Sequence, residues 1–257
     1  IIFVVDESVR CDHLSINGYH RGTTLYLEQL QRQGLLTNWG KTAASATMSL
    51  NSNVYLLTGV TDMPDTRQNT RRVPTIFHYA KAAGYRTYHL DAQMDTPWLV
   101  LPKDQAVVDE WLKAKDLRGA APETDIDFSA ARRIHDIIHQ STGNFVWINK
   151  SGVHFPYIVR YPPEAEVWQP ALKDSRYDYR QYQRIVNSYD NAILYNLDRF
   201  FEALIGAEGL PDNTVIVYTA DHGQTLSEHG ESWPHSGNTP PEACVPLFII
   251  QNTPPKV

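Results

Sequence analysis

Apolar residues in this chain fall into two rhythms. Five short β-rich runs stand out: Ile1–Val5, Phe145–Asn149, Thr214–Thr219 and Val245–Ile250 are apolar at nearly every position, Tyr85–Leu90 is more mixed, and a weaker one lies near Ala106–Val108. A strand with one wet face alternates apolar and polar residues, so unbroken runs predict strands covered on both faces, as in a parallel sheet. Between the runs, apolar positions recur every three or four residues, the period of a helix with one buried stripe. This predicts helices at about Thr24–Gln33, Leu50–Leu57, Pro74–Ala83 and Phe128–His139. The clearest covers about Gln181–Ile205, where Ile185, Tyr189, Ile193, Leu197, Phe200, Phe201 and Leu204 form the stripe. Strands alternating with helices predict an α/β fold: a mostly parallel central sheet with helices on both faces. Segment 155–184 is rich in Tyr, Pro and Arg and its first part lacks a helical period, so it reads as a surface excursion of the kind that often carries function.

At 257 residues and 42% hydrophobic content, the chain is long enough for one large core, and it is read as a single domain over 1–257. A net charge of −6 leaves no basic footprint for nucleic acid. No window approaches the ~18 apolar residues of a membrane span, and no signal peptide is visible. The chain opens directly on a core-strand pattern, "IIFVV", which suggests a domain excised from a longer protein. Cys11 and Cys244 are too few for a disulfide framework and are not spaced as metal ligands, so both are expected as packed thiols.

Candidate chemistry sits where the strands end, because open α/β sheets bind ligands beyond their carboxyl ends. "VVDES" brings Asp6 and Glu7 there, "VWINKSGVHF" brings His154, and "VIVYTADHGQT" brings Asp221 and His222. Two carboxylates and an imidazole suit a Zn²⁺-like site with mixed oxygen and nitrogen ligands; the same residues could also serve as loop caps and surface groups. The stretch "ATMSLNSNVYLLTG" (46–59) sets Thr47, Ser49 and Ser52 at a helix start. There a hydroxyl caps free N–H groups, or it is a nucleophile activated by a metal, with the helix dipole favouring an anionic phosphoryl group. The stretch alone leaves both open.

Other motifs read as ordinary structure. Gly34 and Gly40 have five residues between them where a phosphate-binding loop needs four, so Lys41 and Thr42 are expected in a plain loop. His229 and His235 are close enough in sequence to serve a second metal, with His229 the more ordinary loop residue. His135 and His139 stand four apart on a predicted helix, a spacing that could bind metal, but their surroundings, "RRIHDIIHQ", read better as a solvated face.

The pieces "VVDESVRCDHLSINGY", "LTNWGKTAASATMSLNSNVYLLTG", "SGVHFPYIVRYP", "VNSYDNAIL" and "YTADHGQTLSEHG" occur in an order that resembles the alkaline phosphatase/sulfatase superfamily. They are most similar to the catalytic domains of bacterial phosphoethanolamine transferases, which include lipid A modifying and polymyxin-resistance enzymes. The resemblance covers nearly the whole chain. It implies that Glu7, Asp221 and His222 bind Zn²⁺ together with the nucleophile, with a second divalent metal possible. Asp6 resembles the first of two adjacent aspartates in sulfatases and could be a further ligand, act from behind the ligands, or be a structural carboxylate at the strand end. An ungapped match from "TNW" to "LLTG" puts Ser49 at the nucleophile, with Thr47 the fallback. His154 and His235 take the two histidines that line the substrate phosphate, and Ser52, Gln93 and Gln224 are its substrate-binding candidates.

The resemblance further implies phosphatidylethanolamine as donor and lipid A or another glycan as acceptor. It implies a monomer held by an N-terminal anchor in the bacterial inner membrane, its catalytic domain facing the periplasm. The chain departs from the transferase pattern in having serine for threonine at the nucleophile, Gln224 where glutamate is usual, and none of the stapling cysteine pairs. The alternatives are a phosphoglycerol transferase, a phosphodiesterase or sulfatase-like hydrolase, or a non-catalytic binding domain. A sulfatase needs C/S-x-P-S-R for maturation, whereas Ser49-Leu50-Asn51-Ser52-Asn53 lacks the proline and arginine.

Overall fold

The computed structural model describes residues 1–60, 72–96, 102–176 and 178–252. Among them are seven strands: β1 (Ile2–Asp6), β2 (Leu36–Ala43), β3 (Arg86–Asp91), β4 (Glu110–Leu112), β5 (Asn144–Asn149), β6 (Val215–Ala220) and β7 (Cys244–Gln251). The helices are α1 (Leu25–Arg32), α2 (Ser49–Thr58), α3 (Ile76–Ala82), α4 (Ala114–Arg118), α5 (Ile126–Gln140), α6 (Tyr182–Ile205) and α7 (Pro240–Ala243). One sheet forms in the order β2-β7-β6-β1-β5-β3-β4. Only β7 runs against its neighbours, so β1, β3, β5 and β6 end on one rim.

The side-chain period of two divides the core between the faces of the sheet. Ile2, Val4, Val146, Ile148, Ile216 and Tyr218 join the larger core with α1, α5 and α6. Their neighbours Val5, Phe145 and Trp147 join a smaller one with Leu57 of α2 and Phe77 of α3. Helices therefore cover both faces, as the unbroken apolar runs predict.

The structure corrects three expectations. The segment with Lys41 and Thr42 is no loop: it is β2, an edge strand paired with β7, Thr42 opposite Val245. Its side chains are mostly exposed, Trp39 included, so it lacks the apolar signature of a covered strand. Gly40 sits at φ +78 beside an irregularity in the ladder at Asn38/Gly40, a backbone that favours glycine and has nothing to do with phosphate. The weak strand near 106–108 is displaced to β4. Buried Asp104 accepts from Thr75 Oγ1 at 2.6 Å and its carbonyl accepts from the amides of Val107 and Val108, so this stretch turns before pairing begins at Glu110.

Cys11 and Cys244, expected as packed thiols, are joined in a disulfide, with Cα atoms 5.5 Å apart across a sequence separation of 233. The pairing was illegible because the reversed strand β7 starts at the rim where β1 ends, bringing two distant cysteines together.

The excursion at 155–184 is tied down along α6 by the polar residues of "VNSYDNAIL". Asn191 Oδ1 accepts from the amides of Val167 and Trp168, Asn187 Nδ2 donates to Pro170 O, and Ser188 Oγ accepts from Leu172 N. Buried Asp190 accepts from Tyr19 Oη and Arg21 and pairs with His13. Tyr189 Oη donates to Ser8 O at 2.7 Å and accepts from Arg10 N at 2.8 Å, fixing the turn after β1. This motif is scaffold for the rim.

Candidate active site

Four side chains converge at the rim. Glu7 follows β1, Asp221 and His222 follow β6, and Ser49 is the first residue of α2. Glu7, Asp221 and His222 each offer a ligand atom within 4.8 Å of the others, and all three are buried. Ser49 Oγ lies 3.2 Å from Glu7 Oε2 and 3.2 Å from His222 Nε2. The N-cap of α2 is Met48, which has no side-chain cap bond, and the Ser49 hydroxyl is directed at the cluster. Thr47 Oγ1 instead donates to Asn238 Oδ1 at 2.9 Å, which turns it to a different partner.

Each of the three is oriented from behind. Ser8 Oγ donates to Glu7 Oε1 at 2.6 Å, and Gln93 Nε2 donates to Glu7 Oε2 at 3.2 Å and to Lys150 O at 2.9 Å. Asp221 Oδ1 accepts from the amides of Ser8 (3.1 Å) and His222 (2.7 Å). His222 Nδ1 lies 2.6 Å from Gly223 O, and because a carbonyl only accepts, Nδ1 carries the proton and Nε2 faces the cluster. A Cβ on Gly223 would strike Pro241 O and lie 2.8 Å from Cys244 O, so only glycine lets β7 and α7 close on this turn.

The electrostatics leave the cluster short of positive charge. Burial pushes the Asp221 carboxyl up, helped by the charge of Glu7, to about 7. Burial would raise Glu7 as well, but the facing imidazoles of His222 and His154 hold it below the ordinary value. Burial lowers His222, yet Asp221 and Glu7 outweigh it and leave the imidazole raised. Asp221 Oδ2 is buried with no hydrogen-bond partner among the described residues. A buried carboxylate oxygen left bare is costly unless something else binds it. The set fits a divalent cation: two carboxylates, an imidazole with its tautomer fixed from behind, and a hydroxyl.

His154 and His235 border this cluster, with ring centroids 5.3 Å apart, and His235 lies 5.2 Å from the His222 ring. Burial and then its two imidazole neighbours lower the His235 pKa, keeping it neutral at pH 7, and its Nδ1 is another buried polar atom without a hydrogen-bond partner among the described residues. Beside it opens a cleft of about 440 Å³ lined by Glu231, Trp233, Pro234 and Ser236. His229 is a plain loop residue whose amide donates to Glu231.

Two site candidates, Asp6 and Ser52, are bonded away from the cluster. Asp6 is turned away from the cluster. Lys150 Nζ donates to its Oδ2 at 2.5 Å, Tyr218 Oη donates to the same oxygen at 3.0 Å, and Glu7 N donates to Oδ1. It supports Glu7 from behind and has no oxygen aimed at a metal. Ser52 is 1% exposed and donates to Ala46 O at 2.9 Å, closing the loop before α2. Gln224 is as buried as His222, and neither its Nε2 nor its Oε1 has a hydrogen-bond partner among the described residues. Gln93 does reach the site, through Glu7. Trp98, at the end of the stretch that holds Gln93, lies outside the described residues.

Sequence reasoning missed the supports. Lys150 is wholly buried, and a lysine directly after an apolar strand was the available signal. Asp127 of α5 accepts from the amides of Ser151 and Gly152. Arg160 donates from Nε to His154 O at 2.8 Å and from Nη1 to Ser151 Oγ at 2.6 Å, holding the turn that carries His154.

A sheet of this topology, with a carboxylate, a carboxylate–imidazole pair and a helix-start hydroxyl at its rim, defines the alkaline phosphatase/sulfatase class of α/β folds. The chain matches the family model described as Sulfatase over residues 1–256 and belongs to that family. Among its relatives, the Kdo(2)-lipid A phosphoethanolamine 7''-transferase of Escherichia coli (strain K12) is 28% identical over 263 residues, covering 97% of this chain and 44% of that protein. The phosphatidylethanolamine transferase Mcr-1 of Escherichia coli is 23% identical, covering 97% of this chain and 48% of that protein. The chain thus spans less than half the length of these relatives. The crystal structure of the C-terminal periplasmic domain of EcEptC from Escherichia coli, in complex with Zn, superposes with a TM-score of 0.78 at 20% identity, over 97% of this chain and 72% of that one. The soluble domain of lipooligosaccharide phosphoethanolamine transferase A from Neisseria meningitidis gives 0.71 at 19% identity, over 97% and 75%.

Proposed function

We propose that this domain is a zinc-dependent phosphoethanolamine transferase that uses Ser49 as its nucleophile. The observation that carries the reading is the position of Ser49 Oγ, 3.2 Å from both Glu7 Oε2 and His222 Nε2. The names of the relatives support the reaction, and the Zn in complex with the EcEptC domain supports the metal.

Glu7, Asp221, His222 and Ser49 would hold the Zn²⁺, which when bound lowers the hydroxyl pKa and offsets charge on the phosphoryl group. Ser49 Oγ attacks the phosphorus of phosphatidylethanolamine and gives up its proton towards Glu7 Oε2, its nearest carboxylate oxygen. The Ser49–phosphorus bond forms as the bond from phosphorus to the diacylglycerol oxygen breaks. That oxygen takes a proton from His154. An acceptor hydroxyl or phosphate on lipid A or another glycan then attacks the phosphoserine diester. Its bond to phosphorus forms as the bond from phosphorus to Ser49 Oγ breaks, Ser49 Oγ takes its proton back from Glu7, and exchange with solvent restores the histidines. His235, held neutral, suits taking a proton from an acceptor hydroxyl in this second step. The amides at the start of α2 favour the anionic phosphoryl group throughout.

The Cys11–Cys244 disulfide supports an oxidising compartment such as the periplasm. No described helix is long and apolar enough to cross a membrane. Peptide mass spectrometry after incubation with phosphatidylethanolamine tests the reading. A phosphoethanolamine adduct on Ser49, absent from Ser49→Ala, is expected. An adduct on Thr47 would move the nucleophile, and no adduct with turnover intact would refute the covalent route.

A further inference from the structure

The structure brings together a second set of metal-ligating side chains, remote from Ser49. His135 and His139 lie in the last two turns of α5, and Glu208 lies in the turn that follows α6. Both helices end at the rim where β5 and β6 begin, which is the edge of the sheet opposite the candidate active site. One ligand atom from each of the three lies within 4.8 Å of the others. The sequence showed only the histidine pair on an apparently solvated face. The third ligand and the orientation of the rings come from the fold.

The orientation favours coordination. His135 Nδ1 lies 3.1 Å from Leu204 O, and His139 Nδ1 lies 2.8 Å from His135 O. A carbonyl oxygen only accepts, so each Nδ1 carries its proton and donates it. Each Nε2 therefore bears the lone pair. Metal-binding histidines are held in this way, the far nitrogen fixed by a backbone carbonyl so that tautomer and ring plane are set before the metal arrives. The two rings lie 4.0 Å apart by centroid, tilted by 34°. Glu208 Oε2 is 3.7 Å from His139 Nε2.

We propose that His135, His139 and Glu208 form a peripheral site for a borderline divalent cation such as Zn²⁺, clamping the end of α5 to the turn after α6. Two imidazoles and one carboxylate suit Zn²⁺, Ni²⁺ or Cu²⁺ rather than Mg²⁺ or Ca²⁺, which prefer oxygen ligands. Tetrahedral zinc with bonds near 2.1 Å separates its ligand atoms by about 3.4 Å, so the set must close slightly. The Glu208 side chain is 73% exposed, and a change of rotamer there supplies the movement. Water or a side chain of another molecule completes the coordination.

The test compares tag-free wild type, the double variant His135→Asn/His139→Asn, and Glu208→Gln. Bound zinc is measured by mass spectrometry of the dialysed protein, and melting temperature is followed with added Zn²⁺ or EDTA. Wild type is expected to hold one more equivalent than the double variant, while Ser49-dependent transfer stays unchanged. Glu208→Gln is expected to bind the extra zinc roughly tenfold or more weakly, with an unaltered melting temperature in EDTA. In a His222→Asn background the extra equivalent should persist, which separates this site from the first. Equal zinc content and equal melting shifts in wild type and Glu208→Gln would overturn the proposal, whether or not the double variant folds.

Discussion

Asp6 and Asp221 stand at the ends of adjacent strands, both buried, both with carboxyl pKa values raised by desolvation. Their surroundings differ in one respect. Each oxygen of Asp6 is taken, by Lys150 and Tyr218 on one side and by the amide of Glu7 on the other. Asp221 has one oxygen held by two amides and the other bare, facing Glu7 and His222. A buried carboxylate whose partners are all protein atoms is framework. One left incomplete beside a second carboxylate is a place where a cation belongs.

Substitutions that swap the two roles test this contrast. Asp221→Asn should remove the bound zinc and lower the transfer rate by about 10²–10³-fold, the scale of losing one preorganised electrostatic group; metal analysis and steady-state rates read both. Lys150→Met strands Asp6 in the interior, and a broken buried pair costs about 3–5 kcal/mol. A fall of that size in the urea-derived stability is expected, recovered in part by adding Asp6→Asn. Asp6→Asn alone keeps its shape and should cost no more than about 10–100-fold in zinc affinity, as for a group behind the ligands. If it matches Asp221→Asn, the division between framework and ligand fails.

The smallest effect concerns a buried group that has neither fate. His89 of β3 is buried against Phe77 and Trp111, its Nε2 without a partner among the described residues, and burial pushes its pKa down to about 3. Between an unfolded value near 6.5 and the folded value, the unfolded chain binds more protons. Its stabilising contribution is therefore complete above about pH 6.5 and is lost as the pH falls, by up to about 1.4 kcal/mol per unit. Urea midpoints from pH 7.5 to 4.5 should fall more steeply for wild type than for His89→Leu.

Legibility in the sequence followed the same division. Strands β1, β5, β6 and β7 were readable because burial on both faces forces a nearly unbroken apolar run, while β3 shows through its buried Thr87, Tyr88 and Leu90 among polar residues. The edge strand β2, wet along most of its length, carries no such mark. Glu7, Ser49, Asp221 and His222 were readable because strand ends and a helix start fix where they point. What could not be read depended on contacts between distant parts of the chain, Lys150 answering Asp6 and Cys244 answering Cys11, or on the local path of a loop, as where Ala46 O claims the Ser52 hydroxyl.

The bond between Cys11 and Cys244 has a topological consequence. It closes almost the entire chain into one covalent loop, with Glu7 just outside the closure and Ser49, Asp221 and His222 inside it. A protease that cuts once within the tyrosine-rich excursion at 155–184 would leave two fragments migrating as one molecule until a reductant is added. The fragment carrying Ser49 would then part from the one carrying the aspartate–histidine pair, so thiol sensitivity of the nicked protein would report directly on how the rim is stitched.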